Sequence, residues 1–211
     1  REGGKNQVRV YPVPQSASLQ RDFCLRVRPV GEERWQEVPI FQVKVDMHDV
    51  REASMAYFDF TGKAEVEISF PGFYTVLSLG ITPHWEPRRV TWVLDRQANM
   101  AVEINRDRFH NLHLFAGALE EWPSEGERLG KAPDKNDPNV LVLRGSLESP
   151  CFLDDAVSRK LEAMPEGRIL YVEPGMYYVG EVMWHLPSHT GIYLEGGAVI
   201  RGGLVCDHRE D

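Results

Sequence analysis

The apolar and polar positions of this chain change rhythm once. From Val8 to Phe115 the period is two. Val43, Val45 and Met47 alternate with Gln42, Lys44 and Asp46, and Val66, Ile68 and Phe70 alternate with Glu65, Glu67 and Ser69. Met100, Val102 and Ile104 repeat the pattern against Ala101, Glu103 and Asn105. Successive side chains of a strand point to opposite sides, so each segment puts one face on a core and the other in water. Thr61-Gly62, Pro71-Gly72, Gly80 with Pro83, and Gln97-Ala98-Asn99 supply the turns between them. Roughly eight or nine short strands at this spacing predict an antiparallel β-sandwich, immunoglobulin-like, over residues 1–118.

The alternation stops at Glu120. Residues 119–138 are polar and broken by Pro123, Gly126, Gly130, Pro133 and Pro138, which predicts a domain linker or an extended surface loop. Val140-Leu141-Val142-Leu143 then reads as a buried strand, opening a second domain over 139–211. Phe152, Ala156, Val157, Leu161 and Met164 share one face at helical spacing and predict a helix over 152–164. Ser149 or Asp154 can cap its start, and Pro165 with Gly167 closes it.

Two segments after that helix repeat each other. Tyr171-Val172-Glu173-Pro174-Gly175 matches Tyr193-Leu194-Glu195-Gly196-Gly197. A period of about 22 residues, with short strands and glycine corners, marks a coiled solenoid, here a right-handed parallel β-helix. One turn of such a coil cannot bury its own inner face. The helix is therefore expected to plug its open end, and Tyr171 should stack on Tyr193 and Val172 on Leu194. Glu173 above Glu195 would be an unfavourable ladder unless it faces water. The far end, near Val199 to Cys206, should be an apolar edge open to self-association.

Composition adds few constraints. The chain has 211 residues and a net charge of −8, which argues against nucleic acid or an anionic membrane as partner. No run of about 18 apolar residues is present, so no membrane helix is expected. Cys24, Cys151 and Cys206 are few, odd in number and far apart. They fit reduced, buried thiols and lean toward a bacterial cytoplasm, although the absent initiator Met is compatible with a removed leader.

Candidate chemistry is sparse. His110 and His113, three apart on a strand, would send their rings to opposite faces, so no metal site is expected. Trp92, in step with Val90 and Leu94, belongs to the core. Trp85 and Trp184 are the residues most suited to a saccharide contact, with Trp35 and Trp122 as further aromatic positions. Asp154-Asp155 falls in the first turn of the helix, where carboxylates cap free amides. The acidic residues of the strands read as solvated faces. No catalytic residue and no cofactor emerges.

The coil residues carry a resemblance. The stretch Pro174-Gly175-Met176-Tyr177, then Leu186-Pro187-Ser188, then Tyr193 to Gly202, is similar to the opening turns of polygalacturonase-type β-helix enzymes, glycoside hydrolase family 28. Tyr57-Phe58-Asp59-Phe60 and Asn111 to Ala116 resemble the sandwich that precedes the coil in some bacterial members. The resemblance implies inverting hydrolysis of pectin-type glycans, with an acid and a base roughly 6.5–9.5 Å apart. The family's Asn-Thr-Asp, Gly-His-Gly and Arg-x-Lys elements do not occur here, and the one Asp-Asp pair, Asp154-Asp155, reads as a helix cap; catalytic residues would then lie beyond Asp211 and this stretch alone would be inert. Two other readings compete with it: a carbohydrate-binding or structural module, and the front of a polysaccharide lyase.

Overall fold

The computed structural model describes residues 5–45, 48–69, 76–77, 84–86, 88–104, 107–119, 132–180 and 183–206. The chain divides into two compact units, one of residues 1–11 with 18–120 and one of residues 12–17 with 121–211.

The first unit is built of strands β1 (Gln7–Arg9), β2 (Cys24–Pro29), β3 (Gln36–Val38), β4 (Phe41–Val45), β5 (Arg51–Thr61), β6 (Ala64–Ser69), β7 (Val76–Leu77), β8 (His84–Glu86), β9 (Arg89–Leu94), β10 (Ala98–Ile104) and β11 (Asp107–Ala118). One sheet runs β1-β5-β11-β10-β7, with β4 also on β5, and the other runs β3-β2-β6-β9-β8. Ala56, Phe58 and Phe60 of the first sheet join Leu25, Val27, Val66 and Trp92 of the second in a single core. The period-two pattern produces this directly. Tyr57, the odd-numbered neighbour of Phe58, turns away and stacks on Tyr11 and Phe41.

Two expectations for this unit change. The sheets are not purely antiparallel, because β11 pairs with β5 in parallel, Leu112 opposite Ser54 through Ala118 opposite Phe60. A parallel pair needs a long crossover, and the chain supplies one by building β6, β8 and β9 into the other sheet between the two. The acidic strand residues are also not all solvated. Glu67 is 5% exposed and accepts from Arg26 Nε at 2.6 Å, its partner directly across the ladder. Arg28 pairs with Glu65 in the same way at 2.7 Å, and Trp35 lies against both guanidiniums at 4.7 and 4.3 Å.

The second unit contains β12 (Val140–Leu143), β13 (Cys151–Leu153), α1 (Asp155–Glu162), β14 (Arg168–Val172), β15 (Gly175–Val179), β16 (Trp184–Leu186), β17 (Thr190–Leu194), β18 (Ala198–Arg201) and β19 (Leu204–Cys206). They form three small parallel sheets, β12-β14-β17, β13-β15-β18 and β16-β19. The chain visits the sheets in a fixed order and then begins again. Leu161, Leu170, Val172, Tyr177, Trp184 and Leu186 fill the space between them. Tyr171 stands opposite Tyr193 in register, with ring centroids 4.8 Å apart.

The helix is shorter than its periodicity suggests. Cys151–Leu153 forms a strand against β15, and Phe152, assigned by spacing to the buried helical face, is 74% exposed and stacked on Tyr178 at 5.4 Å. Asp154 sets the boundary: its backbone is extended and its carboxylate accepts from Ala156 N at 2.9 Å. In the first turn of the coil, α1 occupies the position of a third-sheet strand. Ser158 Oγ donates to the His185 carbonyl at 3.0 Å, so the helix satisfies part of the β16 edge.

Two features lay outside sequence reasoning. Residues 12–17 run along the coil, with Gln15 N donating to Leu147 O at 2.8 Å and Pro12 lying against Gly197. Gly197 has φ of +98°, and a Cβ there would press on the Pro12 ring and carbonyl. Arg168 is 7% exposed and closes the end of α1. Its guanidinium donates to Leu161 O at 2.6 Å, Met164 O at 2.9 Å and Ser188 O at 3.1 Å. Leu161 O also accepts from Met164 N at 3.1 Å, and the guanidinium adds a charged donor at the helix C-terminus, where a cation complements the dipole.

Candidate functional site

A polar cluster lies where successive turns of the coil leave the first of the three sheets. Parallel register puts Tyr171 beside Tyr193 and Val172 beside Leu194, so the next residues, Glu173 and Glu195, fall on neighbouring turns. Lys135 Nζ lies 2.9 Å from Glu173 Oε1 and 2.9 Å from Glu195 Oε2. Tyr171 Oη donates to the same Glu195 oxygen at 2.9 Å, and the ammonium sits 4.6 Å from the Tyr171 ring centroid. Tyr177 Oη lies 2.8 Å from Glu173 O and 3.1 Å from Leu143 O, so its one proton is shared between two carbonyls of neighbouring turns. A Cβ at Gly145 would overlap that hydroxyl.

The carboxylate ladder is thus bridged by a cation rather than relieved by water alone. Lys135 comes from the stretch read as linker. Asp134 Oδ1 accepts from Asn136 N at 2.9 Å and Asp137 Oδ1 from Asn139 N at 2.8 Å, turns that hold the segment in place beside the coil. Residues 132–138 therefore belong to the second unit's structure. In sequence the only signal was a lysine among turn-forming Asp, Asn and Pro, which also describes a linker.

The electrostatics favour holding over reacting. Burial on its own would lower the Lys135 pKa, but its hydrogen bonds to Glu173 and Glu195 outweigh that and raise it above the ordinary lysine value. Burial, then the bond to Glu195, pushes Tyr171 up to about 12. Burial also raises Tyr177, helped by the charges of Cys151, Glu173 and Glu195. A glycosidase site needs one carboxyl kept as an acid and another free as a base. Here one ammonium lies between both carboxylates, so the cluster joins turns and offers neither role.

The other sequence candidates scatter. Trp184 is on β16, 5% exposed, its indole nitrogen buried without a partner, and it forms part of the wall of a cleft beside α1. Trp85 is on β8, with its side chain outside the described residues, and Trp122 lies outside them altogether. Trp92 is 4% exposed in the first core. His113 is half-buried on β11, on the face opposite buried Leu112 and Leu114, and the His110 side chain is outside the described residues. Among the described residues no group of three His, Cys, Asp or Glu is placed to hold a metal. The thiols are not uniformly buried: Cys24 is exposed and Cys151 half-buried, both free, and the Cys206 side chain is outside the described residues. Cys24 ends its strand at the sheet margin, and its side chain is not part of the core. Among the described residues no helix is long and apolar enough to cross a membrane.

No family model and no curated protein matches the chain. Among solved structures it is similar to Dex49A from Penicillium minioluteum, with a TM-score of 0.64 and 13% identity over 95% of this chain. The match covers 46% of that protein, so the chain spans about half the length of this neighbour. At this identity the likeness speaks for the fold alone: the chain is mainly β, with one helix and several sheets among the described residues, and shares its fold over this span with Dex49A.

Proposed function

We propose that this chain is the N-terminal piece of a polysaccharide-degrading glycoside hydrolase. In this reading the first unit is an immunoglobulin-like sandwich and the second is the opening of a right-handed parallel β-helix. The single observation that supports it most is the order of the coil, three sheets visited in turn after a two-sheet unit, in a chain that aligns over 95% of its length with 46% of Dex49A. The acid and the base of an inverting mechanism would stand on later turns, roughly 6.5–9.5 Å apart. Glu173 and Glu195 do not substitute for them, since Lys135 holds both. A pectin-type glycan is the substrate suggested by the sequence resemblance. The edge formed by β17, β18 and β19 would either carry the next turn or pair with a second copy.

A second reading, a non-catalytic carbohydrate-binding or structural module, is favoured by the exposed Phe152 ring stacked on Tyr178. One experiment separates the two. The 211-residue chain and the complete product of its gene are incubated with polygalacturonate and with neutral glucans, and released reducing ends and their anomeric form are followed by NMR. The hydrolase reading expects an inert chain and a complete product that cleaves one of these glycans with inversion. Cleavage by the short chain, or none by the complete product, would sink it.

A further inference from the structure

The cleft beside α1 has a volume of about 520 Å³, within the range of small-ligand sites and large enough for a sugar residue. We propose that it binds a neutral segment of glycan, a subsite separate from the carboxylates that would cut the chain. The inference rests on the reading of this protein as part of a polysaccharide hydrolase.

Its two walls have different chemistry. The coil side is mostly apolar, with Leu153, Val179, Met183 and Trp184 beside Gly180 and the exposed His185. The helix side presents Asp155, Ser158, Arg159 and Glu162, spaced i, i+3, i+4 and i+7, which places them on one face. The face behind them, with Val157 and Leu161, packs into the core and fixes the helix in place. A sugar has the same two-sided character, an apolar C–H face and a rim of hydroxyls. The charged groups of Asp155, Arg159 and Glu162 are not engaged with other described residues, so they are available as acceptors and donors to hydroxyls.

Trp184 is 5% exposed and contributes to the coil-side wall as packed apolar surface.

Charge selects the class of sugar. Asp154, Asp155 and Glu162 share the lining with one guanidinium, that of Arg159, and one imidazole, that of His185. A uronate would bring a further negative charge into a lining already rich in carboxylates, whereas a neutral hexose would not. The cleft therefore prefers a neutral glycan even where the cutting site takes an acidic one.

The test is a heteronuclear NMR titration of the 211-residue chain with isomaltotriose and, separately, with trigalacturonate. The expected result is saturable movement of the Ser158, Arg159 and Trp184 resonances, including the Trp184 indole N–H, with the neutral sugar in the millimolar range. Arg159→Ala and Glu162→Ala, both at exposed positions, should each weaken binding at least about fivefold, the loss of roughly one hydrogen bond. Trigalacturonate should bind more weakly than isomaltotriose. Absence of saturable shifts with the neutral sugar, equal or tighter binding of the uronate, or binding indifferent to both substitutions would overturn the proposal. Sugar binding here with no cleavage by the complete product would uphold the cleft and reject the hydrolase. Cleavage without binding here would do the reverse.

Discussion

In the two-sheet unit, Leu25, Val27, Ala56, Phe58, Leu112 and Leu114 are all fully out of water, drawn from both sheets and from distant parts of the chain. In the coil the burial thins along the axis. Leu170, Val172 and Tyr177 are sealed, but their counterparts one turn on, Ile192 and Ile200, are half-buried, and Leu194 and Leu204 are 49% and 37% exposed. Buried residues of both sheets of the first unit meet in one core. A coil turn is covered only by the turns above and below it. The first unit should therefore unfold as a block and the second turn by turn.

The largest expected effect tests the block. Phe58→Ala removes a fully buried ring from the first core and should cost about 3–5 kcal/mol, read as a lower urea midpoint with loss of amide protection throughout β2, β5, β6 and β11. Ile200→Ala, a smaller loss at a half-buried site, should raise exchange only in β17 to β19. Equal spread of the two disturbances would break the comparison.

Arg168→Met comes next. It removes the charged donor from the Leu161 and Met164 carbonyls, of which Leu161 O keeps Met164 N, and should cost about 3 kcal/mol, since each charge-assisted bond contributes about 1.5–3 kcal/mol. Loss should concentrate in α1 and β16, visible by hydrogen exchange. A uniform loss over the whole coil would show that its turns are more strongly coupled than nearest-neighbour packing allows.

The smallest effect sharpens the account of the corner. Lys135→Met should cost about 1 kcal/mol, because the cation and both carboxylates are partly exposed, and 1 M salt should shrink the difference. The pH dependence has a definite sign. Between about pH 10 and 12 the folded coil keeps the Tyr171 proton that the unfolded chain has lost, so stability falls as pH rises. Lys135 acts in the same direction: its contribution is complete below 10.5 and is lost as pH climbs through its raised value. Alkaline melts of Tyr171→Phe and Lys135→Met should each be flatter than that of the parent chain. An unchanged slope in both would mean that the corner cluster contributes nothing measurable to the coil.

The helix shows where pattern reading reaches its limit. Leu161, Val157 and Met164 were correctly assigned to one buried face, because helical spacing is a local property. Phe152 fitted the same spacing by coincidence, and pairing with β15, a partner some 25 residues away, decided against it. Similarly, the carboxylates of Glu173 and Glu195 and their stacking could be read from the repeat, but the lysine between them could not.

The sequence by itself determined the alternating strands read in the first unit with their inward faces, the repeat of the coil and a helix capped at Ser149 or Asp154, because alternation, turn residues and caps act over a few neighbours; the structure chose Asp154. Only the tertiary structure decided the parallel pairing of β5 with β11, the bridge of Lys135 across two turns, the seat of Pro12 to Ala17 along the coil, and the meeting of Trp184 with the polar face of α1 around one cleft. Each of these joins residues far apart in the chain. Their proximity is set by the packing of whole elements, and no local pattern records it.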